Sequence, residues 1–290
     1  MGRPKIGLVL GGGGSRGIAH IGVLMVLVRE QIPIDLIVGT SMGAIVGTSY
    51  ALGHEPQVIA DNIVKNLGGS SLLNLNIFSA RARQRAVQKQ LAPAVEGKTF
   101  ADLNILVTIM TTDMLHGKEI PISEGPLMPA LLASSAVPGV FPPIKQDGME
   151  LMDGGVLDSL ATHVAFENGA ERVIAVDVDP GLDRDNPWVD PISAVVGIDL
   201  PFDAFSFARD WGRIPSAMAS IWRSVRVRTI FIHEARLEQH PPDVLLKPDV
   251  ADYASLDFKD VQGPMQAGIN AAEEQVDAIR ALVEEESATV

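Results

Sequence analysis

Gly39-Thr40-Ser41-Met42-Gly43 matches G-x-S-x-G, a string that can set a serine hydroxyl on a sharp turn between a strand and a helix. The chemistry would be nucleophilic attack by Ser41. Gly39 and Gly43 leave room for the turn, and the start of a helix favours the negative charge that develops beside the hydroxyl. The same five residues serve equally well as a small-residue helix start with Ser41 as a simple N-cap.

A second stretch, Gly11 to Gly17 (GGGGSRG), can converge backbone N–H groups on an anion. Three ligands compete for it. Residues 12–17 satisfy G-x-G-x-x-G, the dinucleotide fingerprint, but the carboxylate that should follow the second strand is misplaced, because Asp35 precedes the apolar part of that strand. A phosphate-binding P-loop needs Lys and then Ser or Thr after its last glycine, and Ile18 and Ala19 stand there instead. The third possibility is an oxyanion hole for a tetrahedral intermediate on Ser41, where each N–H donor lowers the barrier by roughly 3 kcal/mol.

Asp153-Gly154-Gly155 supplies a carboxylate, although Asp-Gly pairs also form plain turns. A carboxylate of ordinary pKa is a poor base for an alcohol. Apolar neighbours such as Met149, Leu151, Met152 and Val156 would raise its basicity by disfavouring the charged form. His163, His233 and His240 follow this acid in the chain order of an ordinary Ser-Asp-His triad, but none has a distinctive context. His163 falls on an expected helix, His233 at an expected strand edge and His240 in a His-Pro loop. All three are expected to be structural or solvated. His20, His54 and His116 precede the acid and form no metal-ligand cluster.

The elements that must position these groups follow from the apolar pattern. Ile6 to Leu10 is expected as a buried strand ending in the glycine loop, Ile18 to Glu30 as a helix, Ile34 to Val38 as the second strand and Met42 to Leu52 as a buried helix. That alternation is the α/β signature, with a mostly parallel sheet and helices on both faces. Asn104 to Met110 and Arg172 to Val178 read as further strands, Ser71 to Arg85 as loop into helix, and Leu245 to Val250 as a late strand. Asp147-Gly148 reads as a hairpin turn and Gln262 to Glu286 as a closing helix. Between Gly181 and Arg226 lie all three tryptophans (Trp188, Trp211 and Trp222) with Phe202, Phe205 and Phe207. This segment is either a lid or appendage, or a pair of helices packed in the core.

With 290 residues, the chain is long enough for one domain with a sizeable core. Its net charge of -13 provides no basic field for nucleic acid. The absence of Cys excludes disulfides, thiolate metal sites and a Cys nucleophile. Neither a signal peptide nor a membrane-spanning apolar stretch is read, so a cytoplasmic protein is expected.

The GGGGxRG loop after the first strand, GTSMG after the second and the later DGG together resemble the patatin-like phospholipases, a family of serine acylhydrolases. His20-Ile21-Gly22-Val23-Leu24 is similar to the family's first helix, and Ala133 to Pro143 (ASSAVPGVFPP) to the proline-rich stretch before its aspartate. The resemblance implies a three-layer sandwich in one domain over 1–290, with a motif-bearing core at about 6–165 and 227–290 completing the fold. It also implies a Ser-Asp dyad, with Ser41 as nucleophile, Asp153 as general base and no histidine required. The N–H groups of Gly12, Gly13 and Gly14 would form the oxyanion hole. Arg16 would brace that loop or meet a phosphate head group, and Gly39, Gly43, Gly154 and Gly155 would support the two turns. Implied substrates are acyl esters of phospholipids, lysophospholipids or glycerides, reached by transient contact with a membrane surface, with no metal or organic cofactor; the weak basicity of a carboxylate sets the expectation of modest turnover. Where the family often continues DGG with Asn and Pro, this chain has Ser159 and Ala161. Two other functions compete: a catalytically weak regulator that keeps the fold, and a dinucleotide-binding oxidoreductase.

Overall fold

The run IGLVL is apolar at every side-chain position except its glycine, and it forms β1 (Ile6–Leu10), buried throughout as the inner strand of a sheet covered on both faces must be. In the computed structural model, which describes residues 3–67, 80–138, 140–181, 216–253 and 258–284, the backbone leaves β1 through the glycines into a short 3₁₀ turn and then α1 (Ala19–Arg29). The chain returns as β2 (Leu36–Thr40), turns at Ser41 and continues as α2 (Met42–Ala51) and α3 (Pro56–Leu67). Next come α4 (Ala80–Val95), β3 (Leu106–Asp113), β4 (Lys118–Ile122) and α5 (Leu127–Ser134). β5 (Ile144–Gln146), β6 (Met149–Asp153), α6 (Thr162–Glu167) and β7 (Arg172–Val176) follow. The described chain closes with α7 (Ser216–Gln239), β8 (Val244–Leu246), α8 (Gln262–Glu274) and α9 (Val276–Ala281).

One sheet runs in the order β5-β6-β3-β2-β1-β7-β8, with β4 also paired to β3. The β2–β1, β1–β7, β2–β3 and β7–β8 pairings are parallel, whereas β4, β5 and β6 join antiparallel. Alternation of side chains along each strand divides the core in two. Leu8, Leu10, Ile37, Ile109 and Ile174 pack with Ile21, Leu24 and Met265 of α1 and α8. Val9, Val38, Val173 and Ala175 pack with Val164 and Ala165 of α6 on the opposite face. The result is the three-layer α/β architecture expected from the sequence.

Helices α1 and α8 touch backbone to backbone. A Cβ at Gly22 would lie 2.0 Å from the Met265 carbonyl oxygen, and one at Gly268 would lie 1.9 Å from that of Ala19. No other residue fits at either place.

The boundaries expected for β1 and α2 agree with the structure to within a residue. β2 begins two residues later than expected and runs on through Gly39 and Thr40, because these pair with Leu10 of β1 and with Ile109 and Met110 of β3. The Asp147-Gly148 turn joins β5 to β6, with both residues at positive φ. The closing helix is interrupted at Gln275, and the late strand shortens to Val244–Leu246. His233, expected at a strand edge, lies within α7. Trp188, Trp211, the three phenylalanines and the side chain of Trp222 lie outside the described residues, as does most of the loop expected from Ser71.

Candidate active site

Strand β3 has two edges, and on one of them β2 gives way to β6. Thr40 pairs with Met110, and Asp153 pairs with the next residue, Thr111, while β4 occupies the other edge of both. β2 ends here and β6 takes its place. The end of β2 and the end of β6 therefore meet over Met110 and Thr111, which brings Ser41 and Asp153 together from distant parts of the chain.

Ser41 itself is bent. Its backbone sits at φ 52°, ψ −118°, a region that an L side chain rarely adopts and that stores strain of about 1–3 kcal/mol. Two supports hold it. Gly43 lets α2 approach β1 so closely that a Cβ there would lie 2.1 Å from the Leu10 carbonyl oxygen. The second support is Ser134 at the end of α5, whose buried hydroxyl accepts the Ser41 N–H at 2.8 Å and donates to the Met110 carbonyl at 2.7 Å. Ser134 does not stand out in the sequence, where it is one small residue in an apolar helix.

This double role predicts that Ser134→Ala leaves the buried Ser41 N–H without this acceptor and takes one donor from the Met110 carbonyl, costing about 1–3 kcal/mol. Chemical denaturation should show the loss. A midpoint equal to that of the wild type would remove Ser134 from the support of the turn.

Asp153 ends β6 and is buried. Burial raises its pKa to about 6, against the lowering effect of hydrogen bonds from the Gly155 N–H and from the Ser41 hydroxyl. The Gly155 bond to Oδ1 measures 2.8 Å. Gly154 and Gly155 begin the 3₁₀ turn after β6, and Gly39 lies at the end of β2, so the glycines expected around the two turns all fall there.

The same pKa has a consequence for stability. Between an unfolded value near 3.8 and the folded value near 6, the folded chain holds more protons than the unfolded one, so stability falls as pH rises through that window and levels above it. The difference between the two values corresponds to about 3 kcal/mol. Asp153→Asn should therefore melt higher than the wild type at pH 7, with the difference shrinking as pH falls and vanishing below about pH 3. Parallel melting curves for the two proteins across that range would contradict the raised value.

The glycine loop lies against Ser41: a Cβ placed on Gly12 would stand 3.5 Å from that of Ser41. Its N–H groups are not equivalent. Gly12 was expected among the oxyanion donors, but its N–H donates to the Ser159 carbonyl at 3.0 Å. The N–H of Gly13 makes no hydrogen bond among the described residues, which leaves Gly13 and Gly14 as the candidate donors. Arg16 braces the loop by donating from Nε to the Tyr253 carbonyl at 2.6 Å.

The histidines are engaged elsewhere. His163 contacts Glu119 and Asp158 and faces the ring of His240 at 5.7 Å. His233 lies between the Ser159 hydroxyl (3.3 Å from Nδ1) and Asp177 (3.0 Å from Nε2). Burial alone would lower its pKa, but the bond to Asp177 and nearby carboxylates raise it overall. Ser159 thus turns to His233 and not to Asp153. Asp35, the acid considered for a ribose, is held by Arg3 at 2.6 Å and by the Ile6 N–H at 2.7 Å, at the end of β1 opposite the glycine loop. Among the described residues, no histidine is hydrogen-bonded to Ser41 or Asp153, and no group of three or more His, Asp or Glu is placed to hold a metal ion.

Residues 8–166 match the model of a family described as patatin-like phospholipase. Lysophospholipase NTE1 of Scheffersomyces stipitis is 30% identical over 282 residues, covering 92% of this chain and 18% of that protein. An NTE family protein of Mycobacterium tuberculosis is 37% identical over 181 residues, covering 60% of this chain and 49% of its own length. The chain spans less than half of either relative. Among solved structures, VipD from Legionella pneumophila aligns with 97% of this chain and 67% of its own at a TM-score of 0.54 and 13% identity, a likeness of fold alone.

Proposed function

This chain belongs to the patatin-like phospholipase family, and from that premise we propose that it hydrolyses acyl esters of lipids through a dyad of Ser41 and Asp153. The observation that carries the proposal is the meeting of Ser41, on its strained turn at the end of β2, with the buried Asp153 carboxylate at the end of β6, whose pKa burial raises to about 6. Such a group is ionised at neutral pH, yet it is more basic than an exposed aspartate.

In the proposed reaction, Ser41 Oγ attacks the ester carbonyl carbon while its proton passes to Asp153. The carbonyl oxygen takes up negative charge facing the N–H groups of Gly13 and Gly14, at the start of the turn that leads into α1. Collapse of the tetrahedral intermediate breaks the ester C–O bond, and the departing alcohol takes the proton from Asp153. Water then attacks the acyl-serine while Asp153 accepts its proton, the bond from the acyl carbon to Oγ breaks as Oγ takes that proton from Asp153, and the fatty acid leaves with both residues restored. The proposal assigns this chemistry to a single catalytic domain over 1–290.

Phospholipids, lysophospholipids and glycerides are the proposed substrate class, in keeping with the lysophospholipase named among the relatives. Among the described residues, no helix is long and apolar enough to cross a membrane. With a net charge of -13, contact with a lipid surface would rest on apolar insertion and persist in high salt.

The test is a panel of p-nitrophenyl esters and phospholipids of graded chain length, run on the purified protein and on Ser41→Ala together. Serine-dependent release of fatty acid from a lipid is the expected result. No serine-dependent release from any member of the panel would favour a regulator that keeps the fold without the chemistry.

A further inference from the structure

The peptide unit joining Gly11 to Gly12 is held at both ends. Its carbonyl accepts a hydrogen bond from His20 Nε2 at 2.8 Å, and its N–H donates to the Ser159 carbonyl at 3.0 Å. A carbonyl can only accept, so Nε2 carries the proton, and full burial, which lowers the pKa to about 4, keeps the ring neutral. His20 is fully buried on α1, and its Nδ1 has no hydrogen-bond partner among the described residues. For packing alone this is a poor choice, because a leucine would fill similar space without leaving a buried nitrogen unsatisfied. At the other end, Ser159 is tied through its hydroxyl to His233, and His233 to Asp177 at the end of β7. The peptide so gripped lies against Ser41 and immediately precedes Gly13 and Gly14.

We propose that His20 is a positioning residue for the hydrolysis: together with Ser159 it fixes the plane of the Gly11–Gly12 peptide and so aims the next two N–H groups at the oxygen that becomes charged. The inference rests on the oxyanion role given to this loop above. Glycine peptides rotate easily, and an oxyanion donor is effective only if it is already oriented when the charge forms. His20 touches no substrate atom. Its effect runs through the backbone it holds.

The test compares His20→Leu, which removes the donor at similar volume, with His20→Gln, whose side-chain amide can return an N–H to the same carbonyl. On a short p-nitrophenyl ester, His20→Leu is expected to lower kcat by about 30-fold or more while KM stays within about threefold, since oriented donors act on the transition state more than on the bound ester. His20→Gln should recover kcat to within about fivefold of the wild type.

Equal losses in the two variants would show that the donor is not the cause, and a His20→Leu kcat within threefold of the wild type would overturn the proposal directly. If His20→Leu does not fold, Ser159→Ala and His233→Gln carry the test from the other end. Each should then lower kcat by about fivefold or more at unchanged KM, and unchanged kcat in both would overturn the proposal. Ser41→Ala is assayed alongside: activity remaining there would refute the underlying reading, whereas an inactive Ser41→Ala beside a fully active His20→Leu would refute the clamp alone.

Discussion

Ser41→Ala is expected to lower ester hydrolysis by at least about ten-thousandfold, because the proposed route passes through an acyl-serine that alanine cannot form. A fluorophosphonate probe should label the wild type at Ser41, mapped by mass spectrometry of the digested adduct, and should leave Ser41→Ala unlabelled. The strained backbone adds a control. Ser41→Gly should be just as inactive, yet more stable than Ser41→Ala by about 1 kcal/mol, since glycine accepts φ 52° freely. The structure also names the serine that could replace Ser41 in this experiment. Ser159, His233 and Asp177 form a hydrogen-bonded series of the three residue types found in hydrolase triads. Labelling at Ser159, or hydrolysis surviving in Ser41→Ala, would transfer the nucleophile there.

The second large effect concerns the base. Asp153→Asn keeps the shape of the side chain and an acceptor for the Gly155 N–H but loses proton affinity, and turnover is expected to fall by at least about a hundredfold. The pH profile gives an independent check. If the ionised carboxylate is the active form, kcat/KM of the wild type should rise with pH through about 6 and remain level above it. Histidine variants should lose less: His20→Leu and His233→Gln reduce kcat by misplacing the glycine loop, and neither should reach the level of Ser41→Ala. A histidine variant as inactive as Ser41→Ala, or a flat profile between pH 5 and pH 7, would exclude Asp153 as the sole base.

What the sequence discloses here depends on how local each feature is. The IGLVL run states its own fate because it is apolar, short and bounded by charge and glycine. Gly39 and Gly43 are legible for a similar reason, since their spacing admits a sharp turn at Ser41 as well as it admits a plain helix start. β4 is less visible, being a short edge strand interrupted by Pro121, and its pairing is fixed by β3 and not by its own pattern. His233 is misleading: the β-branched residues Thr229, Ile230 and Ile232 around it suggest a strand, yet they lie in a long helix. Ser134 and the clamp on Gly11–Gly12 are not legible at all, because each arises where α5 or α1 docks against the ends of strands. The choice between Gly12 and its neighbours as oxyanion donors is of the same kind. It depends on the Ser159 carbonyl, which belongs to a distant part of the chain.

The contact between α1 and α8 bears on how much chain this chemistry needs. The match to the family's model stops at residue 166, and read by itself that stretch contains Ser41, Asp153 and the glycine loop. Yet α1, which leads out of that loop and carries His20, rests its backbone on Gln262–Glu274, with Gly22 and Gly268 at the crossing. A chain cut after the last motif would expose that face of α1 to water and leave the loop without its footing. The packing that supports this loop therefore extends through residue 274, more than 100 residues beyond the stretch that matches the family's model, and the two glycines at the crossing are what let it close so tightly.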